Sequence, residues 1–160
     1  MNHDKYINSV NLNQNTNFPY LVLNVINGNS YPRNPGFRVM HWHEDIQFIY
    51  VLDGKIEVVT LESRTELHKG DGFFINKNVV HLVDKVDACH YNSFIFPDYF
   101  LRFYLGSPAE QIVSQVIGLE DFPVFPILNG KENMAVLNTL RKLSSLEQNK
   151  TALYLSLIHI

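Results

Sequence analysis

Between residues 37 and 96 the chain never sustains an apolar pattern with a helical period; it runs in short apolar or alternating stretches, each bounded by turn-forming residues. That grammar predicts strands over residues 37–43, 47–52, 55–61, 65–68, 72–75, 81–86 and 90–96. Asp53 and Gly54 separate two β-rich runs, and an Asp-Gly pair in that position reads as the tight turn of a hairpin. In residues 47–52, Phe48, Tyr50 and Leu52 alternate with Gln47, Ile49 and Val51, so this strand is apolar on nearly both sides and belongs in the centre of a sheet. Residues 55–61 are more amphipathic and suit a rim or edge. A series of short antiparallel strands predicts a small barrel or double-sheet jelly roll, an arrangement that limits exposed sheet edges.

The flanks read differently. Residues 1–19 are polar and Asn-rich and predict a loosely attached arm. A first strand over residues 20–26 stops at Asn27-Gly28-Asn29, and Pro32 and Pro35 then enforce an irregular loop. After Pro97, Ser107, Pro108 and Glu110 supply a cap hydroxyl, a proline at the first helical position and the acid three residues past the cap, predicting a helix to about residue 117 that Gly118 ends. Residues 122–128 are held extended by Pro123 and Pro126, and a second helix over residues 131–146 repeats Met134, Leu137, Leu140 and Leu143 at helical intervals. Residues 151–160 are nearly apolar all round and uncapped, as expected of a helix cut short and of a polypeptide that continues. The chain thus divides into an arm (1–19), a β-barrel (20–97) and a helical segment (98–160).

With 160 residues, 46% of them hydrophobic, one compact unit with a real core is expected. Thirteen Lys and Arg against sixteen Asp and Glu give −3 with neutral histidine, which leaves no general positive excess to hold a phosphate backbone. Cys89 is the sole cysteine, so neither an internal disulfide nor a cysteine-based metal pattern is available, and a cytoplasmic location fits. No apolar run approaches the length needed to cross a bilayer, so no membrane partner is expected.

The richest chemistry lies in His41, His43, Gln47 and His81. Alternate side chains of a strand share a face, so His41 and His43 point the same way with Phe37 and Val39, while Trp42 faces out of the cavity. If the first face lines a barrel and a neighbouring strand carries His81, three imidazoles and the Gln47 carbonyl suffice to coordinate a divalent metal such as Zn, Ni or Fe. The same groups serve equally as polar contacts for an organic ligand, or as barrel-lining residues bonded to water and backbone. Glu44 and Asp45 read as exposed turn residues, Cys89 as a structural thiol, and His68, His90 and His159 as unconnected to the cluster.

Gly36, His41, His43, Gln47 and Gly54 resemble the first cupin motif, and Gly70, Asn76, Asn78 and His81 resemble the second. Gln47 stands where that family usually has Glu, Asn76 where it often has Pro, Asn78 where it has Gly, and Lys85 where a terminal Asn is common. Residues 41–54, residues 69–76 followed by Val80-His81, and residues 94–101 are further similar to the sensor domain of AraC-type transcription regulators, a resemblance covering about residues 20–160. It implies a mainly β, cupin-like double-stranded β-helix, or jelly-roll barrel, followed by C-terminal helices. It also implies a small-molecule effector in the cavity, homodimerisation, and DNA binding through a helix-turn-helix domain outside this chain.

Three functions follow as expectations. The first is a ligand-sensing and dimerisation domain, with His41, His43, Gln47 and His81 as effector contacts and the terminal helices as dimer interface and relay. The second is a metal-dependent isomerase, lyase or oxygenase using a three-His, one-Gln site, which lacks the carboxylate of the usual two-His, one-carboxylate iron centre. The third is an interaction scaffold whose interior is filled by its own side chains.

Overall fold

A computed structural model describes residues 3–117 and 121–149. It contains nine strands, β1 (Ile7–Asn8), β2 (Leu21–Ile26), β3 (Asn29–Tyr31), β4 (His41–Trp42), β5 (Ile46–Thr60), β6 (Arg64–His68), β7 (Gly72–Ile75), β8 (His81–Phe96) and β9 (Val124–Ile127), with helices α1 (Pro108–Ile117) and α2 (Met134–Gln148). The strands form one sheet in the order β1-β4-β8-β5-β7-β9, with β2 also paired to β8, β3 to β2, and β6 to β5. The protein is therefore mainly β, and the long β5 and β8 are its spine, antiparallel from Ile46↔Phe96 to Thr60↔His81.

Alternation sorts the strand residues onto two faces. The inner face carries Leu21, Leu23, Val25, Ile49, Val51, Phe73, Ile75, Tyr91 and Ile95 in one buried cluster. The outer face carries Tyr20, Val22, Tyr50, Phe74, Phe94 and Phe96, covered by Ile117, Leu137 and Leu140 of the helices. Helix α2 packs so closely on β7 that a Cβ placed at Gly72 would lie 3.1 Å from Leu140 and 3.2 Å from Leu137. Helix α1 is capped as its sequence predicts, with the Ser107 hydroxyl accepting from the Glu110 amide and the Glu110 carboxylate accepting from the Gly106 amide.

Several expectations are corrected. Asp53-Gly54 is not a hairpin turn. Residues 46–60 form one continuous strand, and Gly54, at φ +74°, sits at an irregularity where the register with β8 shifts on either side. A bulge and a tight turn both demand positive φ, so the dipeptide alone does not distinguish them. The turn lies at residues 61–63, where the Thr60 hydroxyl accepts from the Glu62 and Ser63 amides. Residues 55–60 consequently lie between β6 and β8 rather than at an edge. The runs at 81–86 and 90–96 are likewise one strand, and only His41–Trp42 of residues 37–43 is extended, with Val39 exposed.

The expected loose arm is docked. Ile7 and Asn8 pair in parallel with His41 and Trp42, and buried Asn11 donates to the Pro19 carbonyl and the Asp45 carboxylate. Trp42 faces this arm, its indole N–H donating to the Tyr6 carbonyl and its ring 4.0 Å from His3. Gly118, the residues at 151–160 expected to be helical, and His159 lie outside the described residues.

Candidate functional site

β4 and β8 are neighbours with His41 directly opposite His81, and β8 places Ser93 across from Ile49, diagonal to Gln47 on β5. His43 follows β4 at the start of the 43–45 connection. This topology gathers all four expected site residues: one ligand nitrogen from each of His41, His43 and His81 lies within 4.8 Å of the others, and the Gln47 Oε1 lies 2.9 Å from His43 Nε2 and 3.1 Å from His81 Nε2. All four side chains are buried, His81 completely.

The backbone determines how the rings point. His41 Nδ1 donates to the Val39 carbonyl at 2.7 Å, His43 Nδ1 to the Asp45 carbonyl at 2.8 Å, and His81 Nδ1 to the Val79 carbonyl at 2.8 Å. A carbonyl only accepts, so each Nδ1 carries the ring proton and each Nε2 of a neutral ring presents a bare lone pair. The Gln47 amide is oriented by its NH2, which donates to the Ser93 hydroxyl at 2.9 Å, and this turns its carbonyl oxygen toward the rings. Four acceptors thus converge with no donor among them. Such a set is stabilised by a positive ion at its centre, and neutral imidazole nitrogens with an amide oxygen are compatible with a divalent metal.

Burial keeps the rings neutral. It lowers His41 to about 4 and His43 below its usual range, and, joined by the neighbouring His41 and His43, it holds His81 well below that range. The sign of the pH dependence follows. Above the unfolded value of 6.5 neither state is protonated; below it the unfolded chain takes up protons that the folded chain refuses, so stability is lost as pH falls. For His41 the loss is complete near pH 4 and amounts to about 3 kcal/mol. Asp45, raised by burial, acts in the opposite sense, but it is one half-buried group against three buried ones. Urea denaturation of chelator-treated protein between pH 7.5 and about 4.5 is therefore expected to show a steadily falling midpoint; a flat profile would contradict neutral buried rings.

Other sequence readings resolve around this centre. Asn78 adopts φ +64°, the left-handed conformation that the glycine of the cupin pattern would supply, and its amide donates to the His43 carbonyl. Asn76 is buried and donates to the Val116 and Phe122 carbonyls, tying the end of α1 to the sheet. Glu44 is exposed as expected, whereas Asp45 is partly buried and orients His43. His68 pairs with Glu66 at the surface, His90 bonds Asn24, and burial raises the Cys89 thiol. Ser93 was not singled out by the sequence, because a lone serine in an apolar strand carries no motif.

Residues 32–89 match the cupin domain family. A curated relative, the uncharacterized HTH-type transcriptional regulator YdeC of Bacillus subtilis (strain 168), is 31% identical over 124 residues, which cover 74% of this chain and 41% of the relative. The chain thus spans about two-fifths of the length of the curated relative it matches. Among solved structures, ToxT from Vibrio cholerae aligns over 75% of this chain and 45% of its own at 12% identity and a TM-score of 0.45. Bacillus subtilis oxalate decarboxylase OxdC aligns over 59% of this chain and 31% of its own at 14% identity and a TM-score of 0.35. Residues 32–89 are thus similar to a cupin domain, and the chain is a homologue of an HTH-type transcriptional regulator over part of that protein's length.

Proposed function

We propose that this chain is the ligand-sensing and dimerisation part of an AraC-type transcription regulator, with DNA contacted by a domain outside it. The observation that carries regulation over catalysis is the regulator relative, aligned along 74% of the chain. The buried quartet supports a sensing role: His41, His43, His81 and Gln47, with Ser93 behind Gln47, gather a few polar groups beside a large apolar cluster, the composition of a small-molecule site. They fit a divalent metal such as Zn, Ni or Fe, which would supply a Lewis-acidic anchor for a guest's oxygen atom. The chain's own contribution is to aim four lone pairs, hold the rings in one tautomer and exclude water.

The helices supply the outward report. α1 and α2 rest on the outer face of the strands whose inner face holds Gln47, and an apolar cavity of about 280 Å³ lies between them, walled by Phe48, Phe74, Ile112, Val116, Phe122 and Phe125. Ile112 and Phe125 are exposed at its rim, as suits a symmetric interface. Regulation requires the guest to bind two arrangements of these helices with different affinity.

Two measurements test the reading. Light scattering of the 18.5 kDa chain is expected to give a dimer that Ile112→Glu converts to monomer. Calorimetry against a panel of small metabolites with Zn2+ present is expected to raise the melting temperature for one chemical class. A monomeric chain unmoved by every compound would refute a sensing and dimerisation role, and turnover of a panel compound would establish the metal-enzyme alternative.

A further inference from the structure

The quartet has an unusual charge balance. Three neutral imidazoles and a carboxamide bring no negative charge to a cation, and the Asp, Glu, Cys and His group within ligating distance consists, among the described residues, of His41, His43 and His81 alone. The nearby Asp45 carboxylate accepts from Asn11 instead. A divalent ion held there would keep both its charges in a wall of Ile49, Ile75 and Ile95, and a buried charge without a counter-charge is costly.

A second, independent feature lies in the segment that leads into His41. Residues 29–39 enclose a cleft of about 510 Å³ whose lining includes Arg33 and Arg38 and no Asp or Glu. Arg38 donates to the Asn29 side chain, and neither arginine has a carboxylate partner among the described residues. The cleft adjoins the quartet without sharing a lining residue with it: Val39 lines the cleft and its carbonyl holds the His41 ring, and Phe37 lines the cleft and also belongs to the inner core.

We propose that the guest of this site is a small organic carboxylate, drawn in past Arg33 and Arg38 and serving as the counter-charge that the quartet lacks. The proposal rests on the preceding reading that His41, His43, His81 and Gln47 hold a divalent cation, and it adds the chemical class of what accompanies it. Without a cation the four acceptors repel an anion; with one, the neutral ligand set demands an anion. Uptake of cation and carboxylate is therefore mutually reinforcing, and each tightens the other by the same factor. Arginine is suited to the outer role because its planar fork matches a carboxylate.

The test is a Co2+ titration of the full chain in chloride-free buffer, read by visible absorption, with acetate or benzoate set against their neutral isosteres acetamide and benzamide. The carboxylates are expected to tighten Co2+ roughly tenfold and to shift its absorption bands, while the amides do neither. The Arg33→Gln, Arg38→Gln double variant is expected to lose most of that gain. Gln47→Glu, which supplies the missing charge from the protein, is expected to bind Co2+ more tightly alone and to gain little from carboxylate. Equal Co2+ affinity with carboxylate, with amide and with neither overturns the proposal while leaving the metal reading standing. A chain that takes up no Co2+ under any condition refutes both.

Discussion

Replacing Gly54 with valine is expected to abolish the folded state. Gly54 holds φ +74°, and a Cβ there would lie 1.9 Å from the Ala88 carbonyl oxygen and 2.9 Å from the Cys89 Cα. Neither neighbour is a flexible side-chain end; both are backbone of β8, paired with Gly54 across the spine of the sheet. The left-handed conformation alone costs a side-chain-bearing residue roughly 1–2 kcal/mol, and relieving the overlap requires β5 and β8 to part. The total is expected to exceed about 4 kcal/mol, a large share of the roughly 5–15 kcal/mol that holds a domain together. Gly106→Ala is the matched control: its φ is +80° and nothing lies within 4 Å, so it should cost only about 1 kcal/mol. Urea denaturation compares the two, and similar midpoints would mean that the strands do not meet at residue 54 as described.

The second large effect concerns cation binding. His81→Ala removes the fully buried ring that lies opposite His41 and whose Nε2 faces the Gln47 oxygen. Loss of a group that only orients a ligand weakens metal sites by about 10–100-fold, so loss of a ligand itself is expected to weaken Zn2+ by ~100-fold or more. Competition with a chromogenic chelator measures this, with His68→Ala as the comparison, since His68 sits at the surface against Glu66. Undiminished affinity in His81→Ala would place any bound cation elsewhere. Because the variant also leaves a cavity in a packed interior, its melting temperature without metal should be recorded beside the affinity, so that unfolding is not mistaken for ligand loss.

Much of this arrangement was legible in the residues. The short runs at 47–52, 72–75 and 90–96 were legible as strands, and 47–52, apolar on nearly both sides, as a central one, because the two apolar layers around it leave a local pattern. The pairing of His41 with His43 on one face was likewise a local consequence of strand geometry. The errors share one cause, which is dependence on distant partners. Whether Asp53-Gly54 turns or bulges is decided by the 85–91 stretch of β8, more than thirty residues away. The arm looked loose because its residues are polar, yet Asn11 and Asn13 dock it by side-chain bonds to Pro19, Tyr20 and Asp45 that hydrophobic patterning does not register. Ser93 acquires its role only when β8 lies beside β5, and the i±2 carbonyls that orient the imidazoles belong to irregular connections rather than to any motif.

The carboxamide at residue 47 has a property that a glutamate would not. Its two ends are nearly the same shape, and the serine hydroxyl beside it is able to donate as well as accept. Turned over by half a revolution, the side chain would offer hydrogens to His43 and His81 and take one from Ser93, leaving only the His41 Nε2 of the four acceptors without a donor. An ion-free nest would then strand one buried lone pair instead of four, so that a single exchanged atom would ease the release of a cation held there.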